Sequence, residues 1–273
     1  MTIAADGLEP LTHTEFAQTM RRVGAAMSRY FSATAVGLDN LDGLAGAVLV
    51  LNHGHFMFGN VILAERIFVH NNRVVRGAAD HLFFEVPVLR GVARRHGAVP
   101  GTRDSAARVL ADGQLLIVLP GGAREGLGAA SERYKLDWGT NRGFAVVAKA
   151  AGVPIIPVGG IGVDDLYWQV DRTRRSATVR AGLDLIGVSP RYVPPLYFGV
   201  GALPLPERMT FHIGAPIATD ELEVDELVER TGFEVEALLV AGLQRRADEE
   251  RLLHRFSPRR VLARLRQGTR QQS

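Results

Sequence analysis

Apolar positions along the chain follow two spacings, and their alternation predicts an α/β fold. Short continuous apolar runs predict strands that are buried on both faces. Between these runs, apolar residues recur at steps of three and four, which is typical of amphipathic helices. Strands that alternate with helices through short connections indicate a mostly parallel β-sheet flanked by helices. The predicted strands are 46–52, 74–79, 114–119, 153–158 and 209–213, and the predicted helices are 58–69, 86–96, 102–111, 142–151 and 220–246, the last interrupted near Gly232.

Both ends of the chain predict helical extensions. Thr12 and Glu15 have the spacing of a capping box, and the helix that they begin extends to Phe31. Its apolar stripe favours packing on the core, and the arginines on its other face leave contact with a membrane as the alternative. Pro258 begins a last helix, which ends at Gly268. We therefore divide the chain into an N-terminal helical segment, an α/β domain and an Arg-rich tail, which are residues 1–40, 41–244 and 245–273.

Composition narrows the classes of function. The chain has 273 residues, of which 47% are hydrophobic and 22% charged, so it can bury a large core. Because cysteine is absent, thiol catalysis, disulfides and Cys-based metal sites are excluded. The chain starts without a signal-peptide pattern and contains no long apolar run, so a cytoplasmic location is expected. The tail carries nine arginines against three acidic residues, which favours an anionic partner, and we rank nucleic acid below a phospholipid surface.

Two polar clusters follow directly after predicted strands. The first is Asn52-His53-Gly54-His55, and the second is Pro120-Gly121-Gly122-Ala123-Arg124-Glu125. In α/β sheets ligands bind beyond the carboxyl ends of the strands. A histidine at such a position can act as a general base near pH 7, and the Gly-Gly turn lets backbone N–H groups approach a ligand or an oxyanion. Arg124 can hold an anionic group, unless it simply pairs with Glu125.

Other site types are less consistent with the sequence. The His53-x-His55 pair lacks the Asp-His that a metal hydrolase of this pattern requires, and the other histidines show no ligand spacing, so no metal site is predicted. The chain has no Gly-x-Ser-x-Gly nucleophile motif, and its Gly-rich turn lacks the Lys-Ser/Thr ending of a P-loop. We expect the glycines of 159–162 to form a turn and Asp164-Asp165 to be a solvent-exposed cap.

Several motifs resemble blocks of the glycerolipid (lysophospholipid-type) O-acyltransferases. VLVLNHGHFMFGN resembles the first block, in which a strand leads into Asn-His and an acidic residue follows about five positions later. GAVPGTRDSAARVLADGQLLIVLPGGAREG is similar to the second and third blocks, VPIIPV to the fourth, and MTFHIGAPI to a late strand. These motifs occur in the family's order from Gly46 to Ile217, about two-thirds of the chain.

The resemblance implies a fold and an activity. The fold would be lysophospholipid acyltransferase-like, and the reaction would transfer a fatty acyl group from acyl-CoA or acyl carrier protein to a lipid hydroxyl, without a further cofactor. The Pro-Gly-Gly-x-x-Glu turn looks more like the diacylglycerol and alcohol acyltransferases than the phosphatidate-forming enzymes, which carry Pro-Glu-Gly-Thr-Arg. A neutral lipid acceptor is therefore favoured, with lysophospholipid acylation as the alternative. Lipid substrates imply peripheral association with the inner face of the cell membrane.

The same resemblance implies roles for the site residues, with one departure. Arg124 and Glu125 would position the acceptor or the anionic part of the donor. We favour His53 as the general base, because Asn-His closes the strand as in the family, and His55 is the alternative. Five residues after His53 stands Phe58 instead of a carboxylate, whereas five after His55 stands Asn60, which could orient an imidazole. A non-catalytic lipid-binding protein is a third alternative, and the oligomeric state stays open.

Overall fold

The computed structural model describes residues 12–55, 58–85, 87–128, 130–170, 196–198 and 203–255, and a seven-stranded β-sheet lies at its centre. The apolar runs of the sequence form its inner strands, and every residue of the strand after Gly46 is buried. The strands are β1 (Thr34–Val36), β2 (Ala47–Leu51), β3 (Val75–Ala79), β4 (Ala98–Pro100), β5 (Leu115–Val118), β6 (Ile155–Ile161), β7 (Trp168–Val170), β8 (Leu196–Phe198) and β9 (Thr210–Ile213). Strands β7 and β8 form a separate antiparallel pair.

The order of strands in the large sheet is β1-β9-β6-β2-β5-β3-β4. Strand β2 is paired in parallel with both β5 and β6, and β3 is paired in parallel with β4 and β5. At the other edge, β9 runs antiparallel to β6 and parallel to β1. The predicted fold class, a mostly parallel sheet flanked by helices, is confirmed. Because β2 lies between β5 and β6, the loops that follow these three strands meet at one edge of the sheet.

Helices cover both faces of the sheet. The N-terminal helices and α3 pack on one face, whereas α6, α8 and α9 pack on the other, so the fold has three layers. The helices are α1 (His13–Thr19), α2 (Ala25–Tyr30), α3 (Phe58–Asn71), α4 (Leu82–Glu85), α5 (Pro87–Arg95), α6 (Arg103–Ala111), α7 (Ala123–Gly126), α8 (Gly143–Ala151) and α9 (Val224–Arg255), and a π-helical turn, Met20–Gly24, joins α1 to α2. Within the described part of the chain, no helix combines the length and the apolarity needed to span a membrane.

Helix α9 is continuous, and the interruption predicted near Gly232 is wrong. A glycine inside a helix costs about 1 kcal/mol relative to alanine, which packing of a long helix readily outweighs. Two glycines bring α9 close to the sheet: a Cβ on Gly159 would lie 2.9 Å from the Leu238 Cβ, and one on Gly242 would lie 2.6 Å from Ile161 Cγ1. Gly159 therefore belongs to β6 and not to the predicted turn. The helix extends into the Arg-rich tail as far as Arg255, and the helix predicted from Pro258 to Gly268 lies outside the described residues.

The N-terminal segment belongs to the core. Thr12 and Glu15 form the predicted capping box, and Phe16 and Met20 are completely buried. The stripe is not buried throughout, because Val23 and Tyr30 are each 40% exposed. The π-helical turn Met20–Gly24 contains one residue more than an α-helical turn. The residues after it are therefore rotated relative to the apolar stripe that a continuous α-helix would have. Residues 34–36 then add β1, which the sequence did not predict, to the edge of the large sheet.

We expect Phe16→Ala to lower the free energy of unfolding by about 3–5 kcal/mol, because it would leave a cavity in a fully packed core. Val23→Ala, a truncation at a 40% exposed position in the π-helical turn that follows α1, should change it by less than about 0.5 kcal/mol. Urea unfolding followed by circular dichroism measures both values. Equal, small effects would contradict the placement of this helix in the core.

Candidate active site

A polar cleft lies where β2, β5 and β6 end. Its lining includes both predicted histidines, the predicted Glu125, and a group of residues from the loop before α8. The lining residues are Asn52, His53, His55, Glu125, Gly128, Glu132, Arg133, Tyr134, Lys135 and Asp164. The structure thus brings together the two polar clusters that follow separate strands in the sequence.

Asn52 holds the end of β2 against β6. Its Nδ2 donates to the Gly160 carbonyl oxygen at 3.1 Å, and its Oδ1 accepts from the Gly160 N–H at 2.7 Å. This residue is buried, so both bonds form away from bulk water. Paired bonds of this kind determine the direction in which the chain leaves the strand. The next residue, His53, is therefore delivered to the cleft by a rigid support.

The imidazole of His53 is oriented by a backbone carbonyl. Its Nδ1 lies 2.7 Å from the Gly54 carbonyl oxygen, which can only accept, so Nδ1 carries the proton and Nε2 has a free lone pair. Nε2 makes no hydrogen bond to another described residue. Burial lowers the pKa of His53, although the bond to Gly54 opposes that shift. A neutral imidazole with Nε2 as acceptor is the form that a general base requires.

Gly126 leaves the space that the His53 ring occupies. A Cβ at Gly126 would lie 2.5 Å from the His53 Nδ1 and 2.6 Å from its Cε1. Because real Cβ atoms do not approach so closely, any larger residue at position 126 would displace the ring. The segment after β5 therefore helps to place His53, because Gly126 has no side chain that would displace the ring.

Glu125 joins the two clusters. One carboxylate oxygen accepts the His53 backbone N–H at 2.9 Å, and the other accepts the Asp137 backbone N–H at 2.7 Å. The Glu125 carboxyl group lies directly over Gly121, where a Cβ would collide with it. Burial raises the pKa of Glu125, and the two N–H donors oppose this shift. Glu125 is thus a link between three chain segments, and it does not pair with Arg124.

The other residues predicted from the Gly-rich turn have separate contacts. Arg124 donates from Nη2 to the Trp138 carbonyl oxygen at 2.7 Å, and its Nε is 4.0 Å from Asp137. The Gly122 N–H donates to the Leu119 carbonyl oxygen within the turn. Gly122 has a φ of 54°, a backbone conformation that favours glycine. The Gly121 N–H, in contrast, makes no hydrogen bond to another described residue.

His55 and Asn60 occupy different environments from His53. His55 is buried, its N–H donates to the Val163 carbonyl oxygen at 3.1 Å, and its ring meets the Tyr167 ring edge-on at 6.1 Å. Burial lowers the pKa of His55 to about 4, with a smaller contribution from Arg133. Asn60 is buried in the first turn of α3, and its Nδ2 lies about 4 Å from where a Cβ on Gly77 would be. The contact that orients His53 comes from Gly54 and not from Asn60.

Tyr134 was not predicted as a site residue, and the prediction that Asp164-Asp165 forms a solvent-exposed cap is wrong. Asp164 is buried, lines the cleft and accepts the Tyr134 N–H at 3.0 Å, while Asp165 accepts the Tyr134 hydroxyl at 2.6 Å. Burial raises the pKa of Asp164 to about 7. The only sequence signal was the position of Asp164-Asp165 after β6, which is a third strand end at the same edge of the sheet.

A separate group of possible metal ligands lies away from the cleft. Asp39, Asp42 and His70 place one ligand atom each within 4.8 Å of one another, and all three residues are exposed. His70 Nε2 is 3.0 Å from Asp42 Oδ1, which is the distance of a hydrogen bond. None of the three lines the cleft.

We expect nitrogen NMR of the His53 ring to show the Nδ1–H tautomer and to show its pKa below the ordinary histidine range. Gly126→Ala should move these signals and raise the pKa of His53, because the displaced ring becomes more exposed to water. Gly91→Ala is the matched control, since a Cβ there meets nothing within 4 Å. An unchanged His53 spectrum in Gly126→Ala would contradict the packing described here.

Comparison with known proteins gives the family. The model of the diacylglycerol acyltransferase family matches residues 69–237. Proteins from Bos taurus and Homo sapiens, each named "DGAT1/2-independent enzyme synthesizing storage lipids", are 30% identical over 205 residues; the match covers 74% of this chain and 58% and 59% of theirs. An uncharacterized protein of Mycobacterium tuberculosis is 31% identical over 196 residues, covering 70% of this chain and 53% of that protein. The chain thus spans a little over half the length of these curated relatives.

A solved structure supports the fold. The 1-acyl-sn-glycerophosphate acyltransferase PlsC from Thermotoga maritima matches with a TM-score of 0.51 and 16% identity, over 84% of this chain and 79% of that chain. The family match confirms the predicted diacylglycerol acyltransferase-like branch, and the likeness to PlsC confirms the predicted lysophospholipid acyltransferase-like fold. The chain belongs to the diacylglycerol acyltransferase family.

Proposed function

We propose that this protein transfers a fatty acyl group from an acyl thioester to a lipid hydroxyl, with His53 as the general base. The observation that carries the proposal is the His53 ring at the end of β2, with Nδ1 bound to the Gly54 carbonyl and Nε2 free of described partners. Since the family match covers 69–237, His53 lies before the matched residues, and its role is argued from geometry.

The chemistry needs one proton acceptor. Nε2 of His53 takes the proton of the acceptor hydroxyl as its oxygen attacks the thioester carbonyl carbon. A positioned base of this kind contributes about 10²–10⁴-fold in rate. When the tetrahedral intermediate collapses, the C–S bond breaks, and the imidazolium returns the proton to the departing thiolate. The Gly121 N–H is the available donor in the Gly-rich turn for the oxyanion, because the Gly122 N–H already bonds to Leu119.

The charges of the cleft favour a neutral acceptor. Its lining contains the acidic residues Glu125, Glu132 and Asp164 and the two cations Arg133 and Lys135, so cations do not predominate there. A phosphate group binds best at a site where cations predominate and can donate charge-assisted hydrogen bonds to it. Two relatives are named for the synthesis of storage lipids, which agrees with a neutral lipid alcohol or diacylglycerol as acceptor. The alternatives are a lysophospholipid acceptor and a protein that binds lipid without catalysis.

We propose a peripheral membrane location for the enzyme, on the side that carries the outer face of α2. Tyr30 on this face is 40% exposed, and its hydroxyl donates to the Pro204 carbonyl oxygen at 2.7 Å. Leu203 beside it is 61% exposed, and Trp168 on β7 is 64% exposed. The two chain segments run together here, since the Leu205 N–H donates to the Leu166 carbonyl oxygen. Aromatic and aliphatic side chains grouped in this way suit the interfacial region of a bilayer.

Basic residues occur on the same N-terminal helical segment as Tyr30. Arg21, Arg22 and Arg29 are exposed and make no ion pair with another described residue. Tyr167, which follows Leu166 and contacts His55, connects the same region to the cleft. A bilayer with anionic phospholipids would therefore meet apolar and basic groups next to the site.

The first experiment measures transfer of labelled long-chain acyl-CoA, and of acyl carrier protein thioester, to diacylglycerol, a long-chain alcohol and lysophosphatidate. We expect transfer to a neutral acceptor, and its loss in the folded double variant His53→Ala, His55→Ala. Transfer only to lysophosphatidate would overturn the proposed acceptor. No transfer by the folded wild-type protein to any of them would favour lipid binding without catalysis.

The second experiment measures sedimentation with vesicles of phosphatidylcholine and phosphatidylglycerol. Arg22→Ala, Arg29→Ala should reduce the partition coefficient about thirtyfold, since each basic residue at an anionic surface contributes about 1 kcal/mol. Arg103→Ala, Arg108→Ala on α6 removes the same charge elsewhere and should leave binding unchanged. Equal losses in both double variants would indicate a nonspecific charge effect and contradict the proposed surface.

A further inference from the structure

One residue of the cleft lining has an unusual backbone. Tyr134 has a φ of 59°, in the left-handed region that side chains with a Cβ rarely adopt. It belongs to the segment Glu132–Lys135, all four residues of which line the cleft, and we call this segment the cleft wall. Such a conformation persists where surrounding contacts hold it, and it is concentrated at functional sites.

Three hydrogen bonds hold Tyr134 from both ends. Its backbone N–H donates to Asp164 Oδ2 at 3.0 Å, and its hydroxyl donates to Asp165 Oδ2 at 2.6 Å. The same hydroxyl oxygen accepts the Gly162 N–H at 2.8 Å. All three partners lie in the turn after β6, residues 162–165. The cleft wall is therefore attached to that turn through one tyrosine.

Asp165 extends the attachment to two arginines. Arg133 of the cleft wall donates from Nη1 to Asp165 Oδ1 at 3.3 Å, and from Nη2 to the Tyr167 carbonyl oxygen at 2.9 Å. Arg246 of α9 donates from Nη1 to Asp165 Oδ2 at 2.8 Å. The Asp165 carboxylate thus accepts hydrogen bonds from three side chains, two in the cleft wall and one in α9. These bonds compensate for the water that a partly buried carboxylate loses.

The turn 162–165 also supports the opposite side of the cleft. The Val163 carbonyl oxygen accepts the His55 N–H at 3.1 Å. Gly54, whose carbonyl orients His53, packs so closely on Val163 that a Cβ would collide with it. One short turn therefore contacts both the histidine loop and the cleft wall, so it sets the distance between them.

We propose that Asp164 and Asp165 are positioning residues of this enzyme, which hold the cleft wall through Tyr134 at a defined place opposite the His53 imidazole. They act on the reaction through the wall and the histidine loop, and they do not need to touch the reacting atoms. This inference rests on the proposed function for its kinetic readout, and it has a structural readout of its own.

Asp164 makes the attachment dependent on pH. Burial raises the pKa of Asp164 to about 7; Asp165 and Glu125 add to the shift, whereas the Tyr134 N–H and Arg133 oppose it. The ionised carboxylate accepts the Tyr134 N–H more strongly than the neutral acid does, so the wall is held better above pH 7. Since the folded-state pKa exceeds the unfolded one, ionisation also costs folding free energy, and that part of the stability is lost as pH rises through about 7.

The test compares Asp164→Asn and Asp164→Ala with wild type. Asparagine keeps an oxygen that can accept the Tyr134 N–H but does not titrate, whereas alanine removes the acceptor. We expect hydrogen exchange in residues 130–136 to accelerate about tenfold in Asp164→Ala and to stay near wild type in Asp164→Asn, as loss of about one hydrogen bond implies. Helix α8 is the internal control, and Asp220→Ala, an exposed aspartate with no described partner, is the control variant.

The pH profile of kcat/KM supplies the second readout. We expect kcat/KM of wild type to rise through an inflection near pH 7, and Asp164→Asn to lose that inflection and to stay near the lower, neutral-acid limb of wild type at every pH. Asp164→Ala should fall at least about tenfold at pH 8. Unchanged profiles in both variants, or a profile that shifts equally in Asp220→Ala, would overturn the proposal.

The two proposals fail in different ways. If wild type shows no acyl transfer, the proposed function fails, and the exchange rates of 130–136 still decide whether Asp164 holds the wall. If transfer occurs and requires His53, but exchange and pH profile are insensitive to Asp164, the positioning role alone is overturned.

Discussion

The Glu125 carboxylate is the contact on which the arrangement of the cleft depends. Its two oxygens accept the backbone N–H groups of His53 and Asp137, which belong to segments separated by more than eighty residues. A half-buried carboxylate with two charge-assisted hydrogen bonds is difficult to displace, because either oxygen without its donor would lose a favourable contact. Gly121 and Gly126 make room for this contact and for the His53 ring. The Pro-Gly-Gly-x-x-Glu turn is therefore an anchor for the histidine loop as well as a candidate oxyanion site.

An apolar residue stands five positions after His53, where the sequence resemblance implied a carboxylate. Phe58 stands there and packs on Phe31, with ring centroids 5.8 Å apart. The Gly54 carbonyl orients His53 instead, and it supplies no negative charge. The carbonyl still selects the Nδ1–H tautomer, and burial favours the neutral ring. The carbonyl, however, stabilises the imidazolium less than a carboxylate would. We therefore expect a base that is fully available at pH 7 and intrinsically weak.

The sheet could be predicted because buried parallel strands have a distinctive apolar sequence, and β2, β5 and β6 do. The direction of β9 could not be predicted, since an apolar run gives no sign of whether the strand pairs parallel or antiparallel to its neighbour. Strand β1 has three residues with no continuous apolar pattern. In the site, His53 and the Gly-rich turn were predictable from their positions after strands. Asp164 was not, because its role depends on Tyr134, thirty residues away in the chain, and sequence adjacency to Asp165 suggested only a polar turn.

The central claim is that His53, and not His55, removes the proton. The most direct measurement compares the acyl-transfer rates of His53→Ala and His55→Ala under saturating donor, with His81→Ala as an exposed control and circular dichroism to verify folding. The account predicts a loss of at least about 100-fold for His53→Ala and a much smaller loss for His55→Ala. The account would be contradicted by a folded His53→Ala variant that retains the wild-type rate of acyl transfer, or by one whose rate is much higher than that of His55→Ala.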